Sequence, residues 1–104
     1  MTIQVNSDNN VTIHPNFNAE LNELVSTKLN RFTDQITRIE FHFSDQNGQK
    51  SGVNDKKCKM EARMQGRQPI VVSEINNTLG QSAIGAIEKM KAALTTVVEK
   101  ARSH

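Results

Sequence analysis

The sequence predicts an α+β fold of order β-α-β-β-β-α, with two helices packed on one face of a four-stranded, mostly antiparallel sheet. Three observations lead there. Phe17, Leu21, Leu24, Val25 and Phe32 recur at spacings of three, four and seven, which makes one buried helical face. From Arg38 to Phe43 the period becomes two: Ile39, Phe41 and Phe43 point one way, Arg38, Glu40 and His42 the other. A second amphipathic run closes the chain, with Leu79, Ala83, Ala86, Ile87, Met90, Leu94, Val97, Val98 and Ala101 on its apolar side.

The elements follow in order. Residues 2–6, TIQVN, alternate and read as a first strand, and Ser7-Asp8-Asn9-Asn10 is a turn by composition. The first helix is expected over residues 15–33. Pro15 suits its first turn, where the missing N–H has no partner to lose, and His14 or Asn16 stands at the cap. Glu20 and Glu23 are expected early in it, where they favour the helix dipole. The second strand is expected over 37–44 and the third over 56–65, where Cys58, Met60, Ala62 and Met64 point inward and Lys57, Lys59, Glu61, Arg63 and Gln65 outward. The polar residues 45–55 between them read as a long, mobile hairpin loop. Gly66-Arg67 makes a tight reversal into the fourth strand, PIVVSEI, with Pro69 at a position a strand tolerates. Thr78 or Asn77 caps the last helix, expected over 79–101. Gly80 and Gly85 each cost that helix roughly 1 kcal/mol unless close packing requires them.

With 104 residues, the whole of 1–104 is expected to form one domain. Four Phe, no Tyr and no Trp leave aliphatic residues and four Met to fill its core. A lone cysteine, Cys58, makes no internal disulfide and fits a reducing compartment. No signal peptide or membrane span is expected, so the expected location is cytoplasmic. The net charge of +2 is a weak pointer to nucleic acid. Distribution says more: Lys56, Lys57, Lys59, Arg63 and Arg67 crowd one stretch, with Lys50 just upstream.

The run VTIHPNFNAELNELVSTKLNRFTDQITRIEFHFS resembles the N-terminal domain of the ribosome hibernation-promoting factors, a family that includes the ribosome-associated inhibitors and the sigma-modulation proteins. Lys28-Leu29, Arg31 and Ile36-Thr37 stand at matching places. AIGAIEKMKAAL, residues 83–94, resembles the family's closing helix, with Gly85 where an acid is usual. The resemblance spans nearly the whole chain in one order and implies the same element order. It also implies binding to the small ribosomal subunit and its RNA, in the channel where messenger and transfer RNA lie. Translation would be silenced under stress, with no enzymatic activity and no cofactor. The chain reads as a divergent short form, expected to be a monomer.

Ribosomal RNA is held mainly through its phosphates, by Lys and Arg on a rigid frame. Lys89 and Lys100 fall almost on one line of the last helix, as do Lys91 and Arg102, each pair spanning about 16 Å. Lys28 and Arg31 border the first helix's apolar face. Helices packed side by side would let these rows flank a common groove that reads RNA shape and backbone. Lys57, Lys59 and Arg63 form a second, outward ladder. The plainer reading is a solvated surface: lysines at an apolar border snorkel, and strand lysines deter edge pairing. None of the four Phe is expected on the open sheet face, where His42 is the only ring and reads as a surface residue, which argues against base stacking. His14, His42 and His104 show no metal-ligand spacing, and no nucleophile or phosphate-loop motif is present, so no metal, catalytic residue or small-molecule substrate is expected. The alternative function is a protein-interaction module of the same fold that has lost ribosome binding.

Overall fold

The computed structural model describes residues 1–46 and 55–102, the last of them by its backbone alone. Strands β1 (Thr2–Ser7), β2 (Ile36–Asp45), β3 (Lys56–Met64) and β4 (Ile70–Asn76) form one sheet in chain order. β1 runs parallel to β2, and the two antiparallel pairs β2–β3 and β3–β4 follow. A parallel neighbour requires a crossover, and helix α1 (Pro15–Lys28) supplies it. Helix α2 (Leu79–Arg102) packs over β3 and β4 beside α1. The element order and layering are those the periodicities predict. Residues 47–54 of the expected 45–55 loop lie outside the described residues. Its ends are tied together, since the Gln46 N–H donates to the Asp55 carbonyl at 2.7 Å.

The helix starts obey local rules. His14 is extended (φ −82°, ψ 149°), and Pro15 occupies the first helical position. The His14 side chain makes no capping bond; its carbonyl accepts from the N–H groups of Phe17 and Asn18. α2 is capped by Thr78, whose Oγ1 accepts from the Gln81 N–H at 3.1 Å. No acidic residue lies in the first turn of α1, so Glu20 and Glu23 are too far along to serve its dipole as expected.

The end of α1 departs from the sequence expectation. The helix stops at Lys28 rather than residue 33, and Asn30–Phe32 form a 3-10 turn in which the Phe32 N–H donates to the Leu29 carbonyl at 2.9 Å. Residues three apart eclipse in such a turn. The tightening therefore aims Leu29 and Phe32 at the same core, where both are buried.

One hydrophobic cluster joins the inner side of the sheet to both helices. Phe41 and Phe43 of β2 stack at 6.1 Å, and Phe17 of α1 meets Phe43 edge-on at 5.4 Å. Ala101, expected on the buried face, is exposed. It borders an open cleft of about 410 Å³ between the end of α2 and the β3–β4 turn. That turn needs Gly66, whose φ of +74° is left-handed. Ser82 is a buried polar residue that the apolar period did not mark. Its hydroxyl donates to the Lys56 carbonyl and ties the first turn of α2 to β3.

Cys58 is fully buried in β3, and burial pushes its thiol from an ordinary 9.0 up to about 12. The folded thiol stays protonated where the unfolded one ionises. Stability should therefore be intact below pH 9 and decline as pH rises towards 12. The native protein should resist thiol reagents at pH 8, and urea should release one reactive thiol. Rapid labelling without denaturant would contradict the burial.

Gly85 has a packing role. A Cβ built there would lie 2.5 Å from Glu74 Cγ and 2.7 Å from its Oε2. Glu74 thus passes under α2 only because residue 85 has no side chain. In the native background Gly85→Ala should be close to neutral, because Ala's helix propensity, worth about 1 kcal/mol, is offset by displacing Glu74. In a Glu74→Ala background the same change should stabilise by about 1 kcal/mol. Urea unfolding of the four proteins measures the difference; equal effects in both backgrounds would refute the packing role.

Candidate nucleic-acid interface

The outer face of the sheet carries a graded charge pattern set by strand register. Arg38 of β2 stands opposite Arg63 of β3, and Glu40 opposite Glu61. Like charges face each other across the strands, so each finds its counter-charge along its own strand. Arg38 Nε lies 2.7 Å from Glu40 Oε1, and Arg63 Nε 2.8 Å from Glu61 Oε1. The Arg38 hydrogen bond, with a lesser contribution from His42 at 3.5 Å, holds the Glu40 carboxyl below its usual range. Arg38 also donates to the Gln4 side chain.

Towards the loop end of the same face the acids run out. Lys59 is flanked by His42 and Ser73, and Lys57 by Ser44 and Ile75. Neither lysine forms an ion pair among the described residues. Among the described residues no Phe, Tyr or Trp stands on this face, since Phe41 and Phe43 are buried beneath it, and His42 is its one ring. The face offers ammonium groups to phosphate but, beyond the lone His42 imidazole, no ring among the described residues on which a base could stack.

The helix layer splits the remaining cations. Lys28, at the end of α1, pairs with Glu88 of α2 at 3.3 Å. Lys89 turns the other way, to Glu74 of β4 at 2.8 Å and to the Ser73 carbonyl at 2.8 Å. Of the rows expected to flank a common groove, Lys28 with Arg31, Lys89–Lys100 and Lys91–Arg102, the first two are drawn apart where Lys28 and Lys89 turn to separate carboxylates. Lys89 and Lys91 are two residues apart, about 200° around the helix, so they cannot share one border. Lys91 and Lys100 are exposed and make no ion pair among the described residues. Arg31 packs its guanidinium over the Phe32 ring at 4.8 Å, which fixes the stem and leaves its edge to solvent. The Arg102 side chain lies outside the described residues.

A family model described as sigma 54 modulation protein / S30EA ribosomal protein matches residues 3–102. The chain belongs to this family. Solved structures agree on the fold. A ribosomal subunit interface protein from Coxiella burnetii superposes with a TM-score of 0.72 at 20% identity, covering 95% of this chain and 99% of that one. The N-terminal domain of Thermus thermophilus Protein Y gives 0.73 at 13% identity, covering 93% and 99%. No curated protein matches the sequence.

Within this member of the family, two groups deserve a place that sequence reasoning did not give them. Arg38 lies on the open face beside the Arg63 ladder, and the alternation of β2 already pointed it outward. Lys56, Asp45 and Asp55 form a cluster at the inner end of β2 and β3, with Lys56 Nζ 2.8 Å from Asp55 and 3.1 Å from Asp45. Asp55, then Asp45, hold Lys56 protonated above the usual lysine range. Asp55 is buried, and its assignment to a solvent loop hid this role. Among the described residues no group of His, Cys, Asp and Glu is arranged to hold a metal ion. No described helix is long and apolar enough to cross a membrane.

Proposed function

We propose that this chain is a non-enzymatic, cytoplasmic ribosome-binding factor. It occupies the messenger and transfer RNA channel of the small ribosomal subunit and silences translation under stress by occlusion. The observation that carries this reading is the family match across residues 3–102. The Coxiella burnetii neighbour is itself a ribosomal subunit interface protein. The supporting geometry is a set of cations free of carboxylates among the described residues: half-buried Lys57 and exposed Lys59 on the open sheet, exposed Lys91 and Lys100 on α2, and exposed Arg31 after α1. Lys28 and Arg63 are engaged only in exposed ion pairs, worth about 0.2–1 kcal/mol, which phosphate can displace.

Co-sedimentation with purified small subunits tests the reading. Five phosphate contacts should lower affinity by roughly two orders of magnitude over a fourfold rise in salt. Absence of co-sedimentation at both low and moderate salt would refute it. The neutralised cations Lys28, Arg63 and Lys89 favour a second reading, a protein-interaction module of the same fold. That reading expects capture of a partner with little salt dependence and no sensitivity to nuclease.

A further inference from the structure

β4 ends the strand order and so carries one edge of the sheet that no strand covers among the described residues. Val71 and Ile75 on its outer side are 51% and 47% exposed. The Ser73 carbonyl accepts from Lys89 Nζ, so it points off the sheet rather than into the β3 ladder. In an antiparallel ladder the N–H and C=O of one residue point to the same side. Ser73, and with it Val71 and Ile75, therefore directs its backbone bonding groups to this edge. Such an edge is a template for another strand.

We infer that this edge is a latent pairing site for a second copy of this chain, held shut by Lys89. The outward residues of the strand are nearly symmetric about its centre, with Val71 and Ile75 on either side of Ser73. In an antiparallel pairing centred on Ser73, Val71 would face the partner's Ile75 and Ile75 the partner's Val71. Both are apolar pairs on the outer face. Ser73 would face the partner's Ser73 and exchange two backbone hydrogen bonds. Lys89 sits at that centre. Its ammonium occupies the Ser73 carbonyl, the acceptor the central pair needs, and two ammonium groups would meet on the symmetry axis. Glu74 anchors the ammonium there, and Gly85 leaves Glu74 its room. The arrangement gives Lys89 a task independent of RNA: it keeps the chain from pairing with itself.

Sedimentation velocity across micromolar to sub-millimolar protein tests this. The native chain should remain a monomer. Lys89→Ala, and Lys89→Met, which keeps the apolar stem, should move the mass towards twice the monomer value. Adding Ser73→Pro to either should restore the monomer, because proline offers no edge N–H and disturbs no bond to β3. The inference is overturned if the folded Lys89 variants stay monomeric. It is also overturned if the native chain already dimerises, or if the variant dimer survives Ser73→Pro.

Discussion

Replacing Lys57 and Lys59 together by Glu is expected to weaken capture by small ribosomal subunits about a hundredfold at fixed salt. A hydrogen bond to a charged group is worth about 1.5–3 kcal/mol, and each 1.4 kcal/mol is tenfold, so two lost contacts reach that size before repulsion is added. These two positions carry the largest effect because no carboxylate among the described residues neutralises them and they are neighbours on one rigid sheet face. The slope of log affinity against log salt should fall by about 2. Neither residue is buried, so the melting temperature should hold. Filter binding or co-sedimentation over a salt series measures both quantities. Unchanged affinity would remove the open sheet from the interface and leave the helix-layer cations to carry it.

Phe41→Ala is expected to cost about 3–5 kcal/mol of folding stability. A domain of this kind has about 5–15 kcal/mol in all, so the variant approaches the unfolding threshold. Phe41 is fully buried in β2, the strand that pairs with β1 on one side and β3 on the other. It stands opposite Val5 and Met60 and stacks on Phe43. Truncation opens a void under two ladders that cannot collapse without bending the sheet. The melting temperature should drop by on the order of 15 °C. Phe17→Ala is the contrast. Phe17 is only partly buried and meets Phe43 from the helix side, so its loss should be clearly smaller. Equal losses at both sites, read by urea unfolding, would show that the core is not centred on β2.

Strand alternation alone settled which way Lys57, Lys59 and Arg63 point, because a side chain's face in a strand depends only on its parity. Local chemistry likewise narrowed the start of α1 to His14 or Asn16 and the cap of α2 to Thr78 or Asn77, since both rules involve residues within one turn; the folded chain chose His14, with Pro15 first in the helix, and Thr78. The end of α1 was not legible. The spacing from Val25 to Phe32 suits a continuous helix, and only the need to bury Leu29 and Phe32 together selects the tighter turn. The candidate interface was half legible for the same reason. A helical wheel places Lys28, Lys89 and Lys91 around their own axes, but says nothing of what stands opposite. Glu88 reaches Lys28, and Glu74 takes Lys89, only once two helices and an edge strand are packed at particular rotations. Charge in a sequence is a property of residues; whether it is free to meet a phosphate is a property of their neighbours, and those come from distant segments that only the folded chain brings together.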